Sequence, residues 1–204
     1  MIKVYHVPHA RSLRVVWLME ELGEPYELER VKFPPEPGYL EVNQMGTVPA
    51  IDDDGIRMAE SIAILQYITG RRLPEAMSIT VGPKPDPAAY AAHLQFLHFG
   101  EASLAAPLSV IFRTGLIAPE GQKTNITTED QKAIFAKRLG LVDARLADGR
   151  PYLMGEQFTI ADISVGYALG LAQFMKLSGV FPKTVADYAA RLQARPAFQR
   201  AAAK

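Results

Sequence analysis

The chain has 204 residues, no cysteine, and 22 basic and 22 acidic side chains, which give a formal net charge of zero. The lack of cysteine excludes disulfide bonds, a cysteine nucleophile and metal or iron–sulfur sites built on cysteine. The neutral charge provides no general attraction to nucleic acid, and no stretch approaches the roughly 18 apolar residues of a membrane span, so we expect a soluble cytoplasmic protein with neither as a partner.

The first third of the chain alternates short strand patterns with helical ones. The predicted elements are a strand at 2–6, a helix at 12–22, a strand at 26–32, a short helical stretch after the proline-rich loop 33–37, strands at 48–51 and 56–58, and a helix from 61 to 70. The resulting order, β-α-β-α-β-β-α, predicts a small four-stranded mixed sheet covered by helices.

The rest of the chain carries long helical patterns rich in alanine and leucine, and no strand is predicted there. Segment 78–87 contains three prolines and a glycine, and proline interrupts helices. The sequence therefore predicts an α/β domain at 1–77, a linker at 78–87 and an all-helical domain at 88–204. The predicted helices cover 86–114, 127–148, 159–176, 183–193 and 196–203.

Residues 158–163, FTIADI, carry the clearest local signal in the helical region. Thr159 can cap the amides of the first helical turn, and Asp162 can reach back as the acid of a capping box. This motif predicts the start of a helix and concerns folding rather than chemistry.

Two short segments of the first region could bind a ligand, one at the start of a predicted strand and one at the start of a predicted helix. Pro49 lies at the head of a predicted strand, and a cis bond after Val48 would present the backbone N–H and C=O of Val48 to an extended peptide. Glu60 and Ser61 lie where the last helix of the region begins, and helix amides with a serine hydroxyl can bind a carboxylate. The alternative for this pair is a simple helix cap with an acidic residue beside it.

Motifs for other chemistries are missing from the sequence. No P-loop, GxGxxG, HExxH or GxSxG pattern occurs. The four histidines form two pairs, His6 with His9 and His93 with His98, and the sequence places no convergent carboxylates with them. We therefore predict no metal site.

Four stretches, in this order, carry a resemblance to a known family: YHVPHARSLRVVWLMEELGEPYE, NQMGTVPAIDDDG, AESIAILQYI and FTIADISVGYAL. Over essentially the whole chain the sequence resembles the cytosolic glutathione transferases of bacterial type, outside the branch that uses a cysteine. The resemblance implies a thioredoxin-like N-terminal domain (βαβαββα), an all-helical C-terminal domain, and glutathione as co-substrate. It also implies that Val48 and Pro49 pair with the cysteinyl backbone of glutathione, that Glu60 and Ser61 hold its γ-glutamyl end, and that Lys32 lies near its glycyl carboxylate.

The residue that activates the glutathione thiol is less directly indicated. Ser12 lies at the predicted start of the first helix, where a hydroxyl and the helix dipole would both favour a thiolate. Arg11 would help as a nearby cation, and Tyr5 is a further hydroxyl candidate. When the sequence is aligned on Pro8 and Gly23, the cysteine of the bacterial cysteine branch falls on Arg11, and the serine of the plant-type branches falls on His9. The alternative for Ser12 is a helix cap alone.

The expected function is that of a homodimeric glutathione transferase of the general conjugating type, with a role in detoxification. Its thiolate would attack a small hydrophobic electrophile held against the second domain, where side chains of the first long helix either line the pocket or serve helix packing. These side chains are His98, Phe99, Glu101, Ser103 and Phe112. The alternatives are a glutathione-dependent peroxidase or isomerase on the same site, and a non-catalytic ligand-binding or interaction protein. The lack of a protein thiol disfavours disulfide exchange.

Overall fold

The computed structural model describes residues 1–32, 34–72 and 86–204. Within these ranges the chain divides into two compact units: one holds the described residues up to 72 together with Gln193–Lys204, and the other holds those from 86 to 192. Of the predicted linker, only Asp86 and Pro87 are described, and they begin a helix; the remainder, and Phe33 of the proline-rich loop, lie outside the described residues.

The first unit contains a four-stranded mixed sheet, as predicted. Its elements are β1 (Ile2–His6), α1 (Leu13–Leu22), β2 (Glu27–Arg30), a 3-10 helix (Pro37–Glu41), β3 (Ala50–Asp53), β4 (Ile56–Ala59) and α2 (Ser61–Arg72). The strand order is β2-β1-β3-β4, with β1 parallel to β2 and antiparallel to β3, and β3 antiparallel to β4. The predicted short helix after the proline-rich loop is thus a 3-10 helix.

Strand β1 separates two layers of side chains because successive residues of a strand point to opposite faces. Val4 and His6 share one face and are buried. Tyr5 points to the other face, where its ring lies 5.5 Å from that of Tyr39 in the 3-10 helix. Helix α1 ends at Gly23, whose φ of 67° lies in the left-handed region and whose N–H donates to the Met19 carbonyl.

The second unit is built from helices. They are α3 (Pro87–Phe99), a π-helical turn (Gly100–Ala105), α4 (Ala106–Ile117), α5 (Ile126–Leu146), α6 (Ile160–Phe174), a 3-10 turn (Ser178–Val180) and α7 (Lys183–Gln193). Helix α6 is buried from Ile160 to Leu169 and begins with the predicted capping box between Thr159 and Asp162. The predicted helix at 86–114 is interrupted by the π turn. In the described ranges, no helix is both long and apolar enough to cross a membrane.

The end of the chain differs from the predicted domain boundary. The last helix, α8 (Pro196–Ala202), belongs to the first unit and packs on α1 rather than within the helical unit. Phe198 meets the buried Trp17 ring edge to face at 4.9 Å, and Arg195 forms a bidentate ion pair with Glu21 at 2.6 and 2.7 Å. These contacts between distant parts of the sequence are the physical reason for the difference.

Candidate functional site

The turn between β1 and α1 is closed by the hydroxyl of Ser12. This oxygen lies 2.9 Å from Nδ1 of His6, and the backbone of Val7 meets it twice, with N–H donating to the hydroxyl and C=O accepting from it at 3.2 Å. Ser12 has no exposed surface. It occupies the predicted N-cap position, but its side chain makes no capping hydrogen bond. The hydroxyl therefore ties the helix start to the end of β1 and is closed off from solvent.

His6 is the buried partner of this hydroxyl. Its pKa is lowered to about 4, mainly by burial and to a smaller extent by the charges of Arg30 and His9. The imidazole is thus neutral at pH 7. Because a neutral imidazole nitrogen and a serine hydroxyl exchange one hydrogen bond, the pair fixes the turn without burying a charge.

Acidification from pH 7 to pH 5 is expected to lower the free energy of unfolding of the wild type more than that of a His6→Asn variant, which keeps a hydrogen-bonding group near the position of Nδ1. The folded-state pKa of His6, about 4, lies below the usual value of 6.5, so the unfolded chain binds more protons between these values. The free energy of unfolding must therefore fall as the pH drops through this window. Denaturant unfolding of both proteins at pH 7 and pH 5 measures this difference, and an identical pH dependence would contradict it.

The side chains that the turn presents outward are those of His9 and Arg11. His9 is exposed with a φ of 62°, and Arg11 is half-buried. Arg11 was predicted as a cation near the thiol, and its place just before α1 is compatible with that role. Ser12 was predicted as the direct hydroxyl donor, and its burial against His6 and Val7 argues against that role.

A second part of the site lies at the head of β3. The peptide bond between Val48 and Pro49 is cis, as the sequence suggested. The preceding residue is held from two sides, because the carbonyl of Thr47 accepts from the Tyr39 hydroxyl and from the Asn43 amide, each at 2.7 Å. The loop that carries Val48 is therefore anchored to the 3-10 helix and the residues that follow it.

The third part is the start of α2. Glu60 is exposed with a φ of 71°, and its carbonyl accepts from the N–H of Ile64 at 2.9 Å, so Glu60 rather than Ser61 occupies the cap position. Ser61 is the first residue of the helix and is buried. Its hydroxyl accepts a hydrogen bond from Nη1 of Arg14 at 3.2 Å.

Arg14 was not singled out from the sequence. It lies on α1 with no exposed surface, and its guanidinium connects α1 to the start of α2. A signal was available: Arg14 stands three and four residues before Trp17 and Leu18, so it shares the apolar face predicted for this helix. An arginine on such a face requires an internal partner.

Lys32 and Tyr5 lie apart from the turn. Lys32 is exposed, and its ammonium pairs with Glu36 at 2.5 Å. Lys32 and Glu36 line a cavity of about 260 Å³ between the end of β2 and the 3-10 helix, and Tyr5 lines the same cavity. Burial raises the pKa of Tyr5, which disfavours its ionised form. Because Tyr5 points to the sheet face opposite His6, the structure does not support it as the group that activates a thiol.

The side chains predicted in the second unit either to line an electrophile pocket or to serve helix packing lie along α3, the π turn and α4. His98 and Phe112 are exposed, whereas Phe99, Glu101 and Ser103 are half-buried. The carbonyl of Ser103 accepts from Nη1 of Arg138 at 2.8 Å, which fixes the π turn to α5. Their role toward an electrophile remains a prediction. Across the described ranges, no group of three or more His, Asp or Glu side chains is placed to hold a metal ion.

Comparison with known proteins gives consistent matches. Residues 1–70 match the family model of the glutathione S-transferase N-terminal domain, and residues 124–200 match that of the C-terminal domain. The chain is 30% identical to glutathione S-transferase 3 of Schizosaccharomyces pombe, over all of this chain and 88% of that protein. It is 34% identical to elongation factor 1-gamma of Homo sapiens, but over 63% of this chain and only 27% of that protein.

Among solved structures, the fold is similar to a glutathione transferase from Burkholderia graminis that was crystallised with two glutathione molecules bound per subunit. The TM-score is 0.83 at 25% identity, and the alignment covers 98% of this chain and 87% of that one.

Proposed function

Since the chain belongs to the glutathione S-transferase family, we propose that it is a glutathione transferase that binds glutathione in its first unit and transfers the thiolate to small hydrophobic electrophiles. The observation that carries this proposal is the start of α2, where the Ser61 hydroxyl, the helix amides and the buried guanidinium of Arg14 come together. All three groups favour a carboxylate, and glutathione carries one at its γ-glutamyl end.

The other parts of the first unit have complementary roles in this proposal. The Val48 backbone pairs with the cysteinyl residue of glutathione, with Pro49 shaping the loop, and the exposed Glu60 receives the γ-glutamyl amine. Lys32 meets the glycyl carboxylate, which then replaces Glu36 as its partner. Val48, Pro49, Glu60 and Lys32 all belong to the first unit.

Thiol activation is assigned to Arg11 and the start of α1. A guanidinium beside a sulfur, together with the positive end of a helix dipole, stabilises a thiolate over a thiol. Lowering the thiol pKa by about two units requires about 2.7 kcal/mol, which a charge-assisted hydrogen bond and a helix terminus together supply. No covalent bond to the protein is needed.

Replacing Arg11 with alanine is expected to raise the pKa of bound glutathione by about one unit, since it removes the cation. Ser12→Ala is expected to leave that pKa unchanged and to lower the free energy of unfolding by about 1–3 kcal/mol, because the buried His6 and Val7 groups lose their partner. Ultraviolet titration of the bound thiolate and denaturant unfolding measure the two effects. A thiol pKa that rises in Ser12→Ala and not in Arg11→Ala would reverse the assignment.

The proposal is tested by retention on immobilised glutathione followed by assays with a general aromatic electrophile and with cumene hydroperoxide. Conjugation of the electrophile supports the transferase, and turnover of the peroxide alone would instead favour a peroxidase. Retention without turnover would favour a binding module, a possibility raised by the similarity to part of elongation factor 1-gamma. Loss of retention would contradict glutathione binding itself.

We further propose that the protein acts as a homodimer in the cytoplasm and contributes to detoxification. Sedimentation at micromolar concentration tests the first statement, and a monomer would contradict it.

A further inference from the structure

A cavity of about 200 Å³ opens at the end of α5, between the loop that precedes α6 and the first turn of α3. Three charged side chains line it: Arg145, Asp148 and Arg150. Apolar and backbone surface of its wall comes from Ala89, Met154 and Gly155. Pockets for drug-sized ligands measure about 300–1,000 Å³, so this cavity suits a smaller molecule. All six residues belong to the second unit, whereas the residues proposed to hold glutathione belong to the first.

The guanidinium of Arg145 is held in a fixed orientation at this cavity. Its Nε donates to the carbonyl of Leu153 at 2.8 Å, and its central carbon lies 5.9 Å from the centre of the Phe96 ring. Leu153 is fixed in turn, because its N–H donates to the buried carboxylate of Asp162 at 2.9 Å. The orientation of Arg145 is therefore set by the fold before any ligand binds, which lowers the entropy cost of binding.

Most donors of this guanidinium have no protein acceptor. A guanidinium has five N–H donors and no acceptor. Among the residues that the structure describes, Arg145 makes one hydrogen bond, from Nε to Leu153, which leaves the four N–H groups on its two Nη atoms available. Arg150, by contrast, donates to both oxygens of Asp148 at distances between 2.5 and 3.0 Å. Arg145 is therefore the group that can bind a ligand, and its two Nη atoms match the two oxygens of a carboxylate.

The charges around the cavity add up to an excess of one positive charge. Asp148 is ionised at neutral pH, because the hydrogen bonds from Arg150 lower its pKa to about 2, and it neutralises one of the two arginines. Burial and the charge of Arg150 lower the pKa of Arg145, in that order of size, whereas the charge of Asp148 raises it. A ligand with one negative charge would balance the cavity, but a phosphate with two would add a repulsive charge beside Asp148.

We propose that this cavity is a second ligand site, which binds a small organic acid through its carboxylate. The two Nη atoms of Arg145 hold the carboxylate oxygens, Asp148 disfavours dianions, and the apolar part of the acid lies against Ala89 and Met154. This site is independent of glutathione binding in the first unit, so a failure of the glutathione proposal leaves it standing.

The ligand side of the test is a nuclear magnetic resonance titration of the full chain with butanoate at constant ionic strength and pH 8. The backbone N–H signals of Met154 and Gly155 report on this cavity and should shift in a saturable way. We expect a dissociation constant about 10- to 100-fold lower than that of butyramide, the neutral analogue, which is the range of a charge-assisted hydrogen bond. Inorganic phosphate, a dianion at this pH, should bind more weakly than butanoate.

The protein side begins with Arg145→Met, which should weaken butanoate by the same factor and leave butyramide nearly unchanged. Arg138→Met is the matched control and should bind butanoate as the wild type does. Arg138 is another half-buried arginine of α5, and its Nη1 donates to a backbone carbonyl, that of Ser103. Asp148→Asn removes the negative charge and should therefore strengthen phosphate binding more than butanoate binding.

Several results would overturn the inference. The first is equal binding of butanoate and butyramide, or no shift at Met154 and Gly155. The second is an Arg145→Met protein that is less stable but binds butanoate as before, because Arg145 would then only fix the loop. Phosphate binding as tight as that of butanoate would remove the selection for a monoanion. Arg145→Lys covers the case in which Arg145→Met does not fold: the lysine keeps the charge but offers no paired Nη donors, so an unchanged affinity for butanoate would contradict the proposed contact.

Discussion

Asp162→Ala is expected to prevent the second unit from folding. The carboxylate has no exposed surface, and its two oxygens accept from four donors. These are the N–H of Leu153 at 2.9 Å, the hydroxyl of Tyr188 at 2.7 Å, the N–H of Thr159 at 2.8 Å and the hydroxyl of Thr159 at 3.2 Å. Each buried donor left without an acceptor costs about 1–3 kcal/mol. The sum is comparable with the total stability of a domain, about 5–15 kcal/mol.

Two milder substitutions give this prediction a scale. Asp162→Asn keeps the size and one acceptor but turns an NH2 group toward a donor, so its effect should lie between those of the wild type and Asp162→Ala. Tyr188→Phe removes one of the four donors and should lower the free energy of unfolding by about 1–2 kcal/mol. Soluble yield and denaturant unfolding measure the series. A folded Asp162→Ala protein within 1 kcal/mol of the wild type would contradict the account.

This network also shows what the sequence could and could not predict. The contact between Thr159 and Asp162 spans one helical turn, so a local pattern identified it, and the structure confirms it. The contacts of Asp162 with Leu153 and Tyr188 span 9 and 26 positions. No local pattern encodes them, because they depend on how α7 and the loop before α6 pack.

In the candidate site, too, some features could be predicted from local sequence patterns and others could not. Pro49 at a strand head and Ser61 at a helix start were visible from local rules, and both lie where expected. Ser12 was placed correctly at the start of α1, but the direction of its hydroxyl is decided by His6, which belongs to β1. The position of Arg14 behind Ser61 joins residues 47 positions apart. The sequence therefore located the residues of the site. The buried side chains that orient them, His6 and Arg14, could be identified only from the fold.

Two differences from the predicted elements concern the last helix and the helix predicted at 86–114. The helical pattern at the end of the chain is local and was recognised, but its partner, α1, is determined by Trp17 and Glu21, far away in sequence. The π turn at Gly100–Ala105 likewise interrupts a pattern that is helical throughout. The placement of the last helix therefore depends on side chains far away in the sequence.

Gly100→Ala is expected to lower the free energy of unfolding by about 3 kcal/mol, the upper part of the range for overpacking. For a chain of this length, that corresponds to a fall in Tm of about 6–12 °C. A Cβ at this position would stand 2.4 Å from the hydroxyl oxygen of Ser164 and 2.5 Å from its backbone carbonyl carbon. The hydroxyl can rotate, but the backbone of α6 cannot, so the two helices must separate. The φ of Gly100 is −58°, an ordinary helical value, and the conflict is therefore one of space.

Gly140→Ala is the matched control, because this helical glycine of α5 has nothing within 4 Å of an added Cβ. Alanine has the higher helix propensity, so Gly140→Ala should raise stability by up to about 1 kcal/mol. The same gain is available at Gly100 and must be outweighed there by the contact with Ser164. Adding Ser164→Gly removes the hydroxyl, yet leaves the backbone conflict, so it should restore only part of the loss. Thermal unfolding that ranks Gly100→Ala with Gly140→Ala would show that the π turn and α6 do not pack as closely as this contact requires.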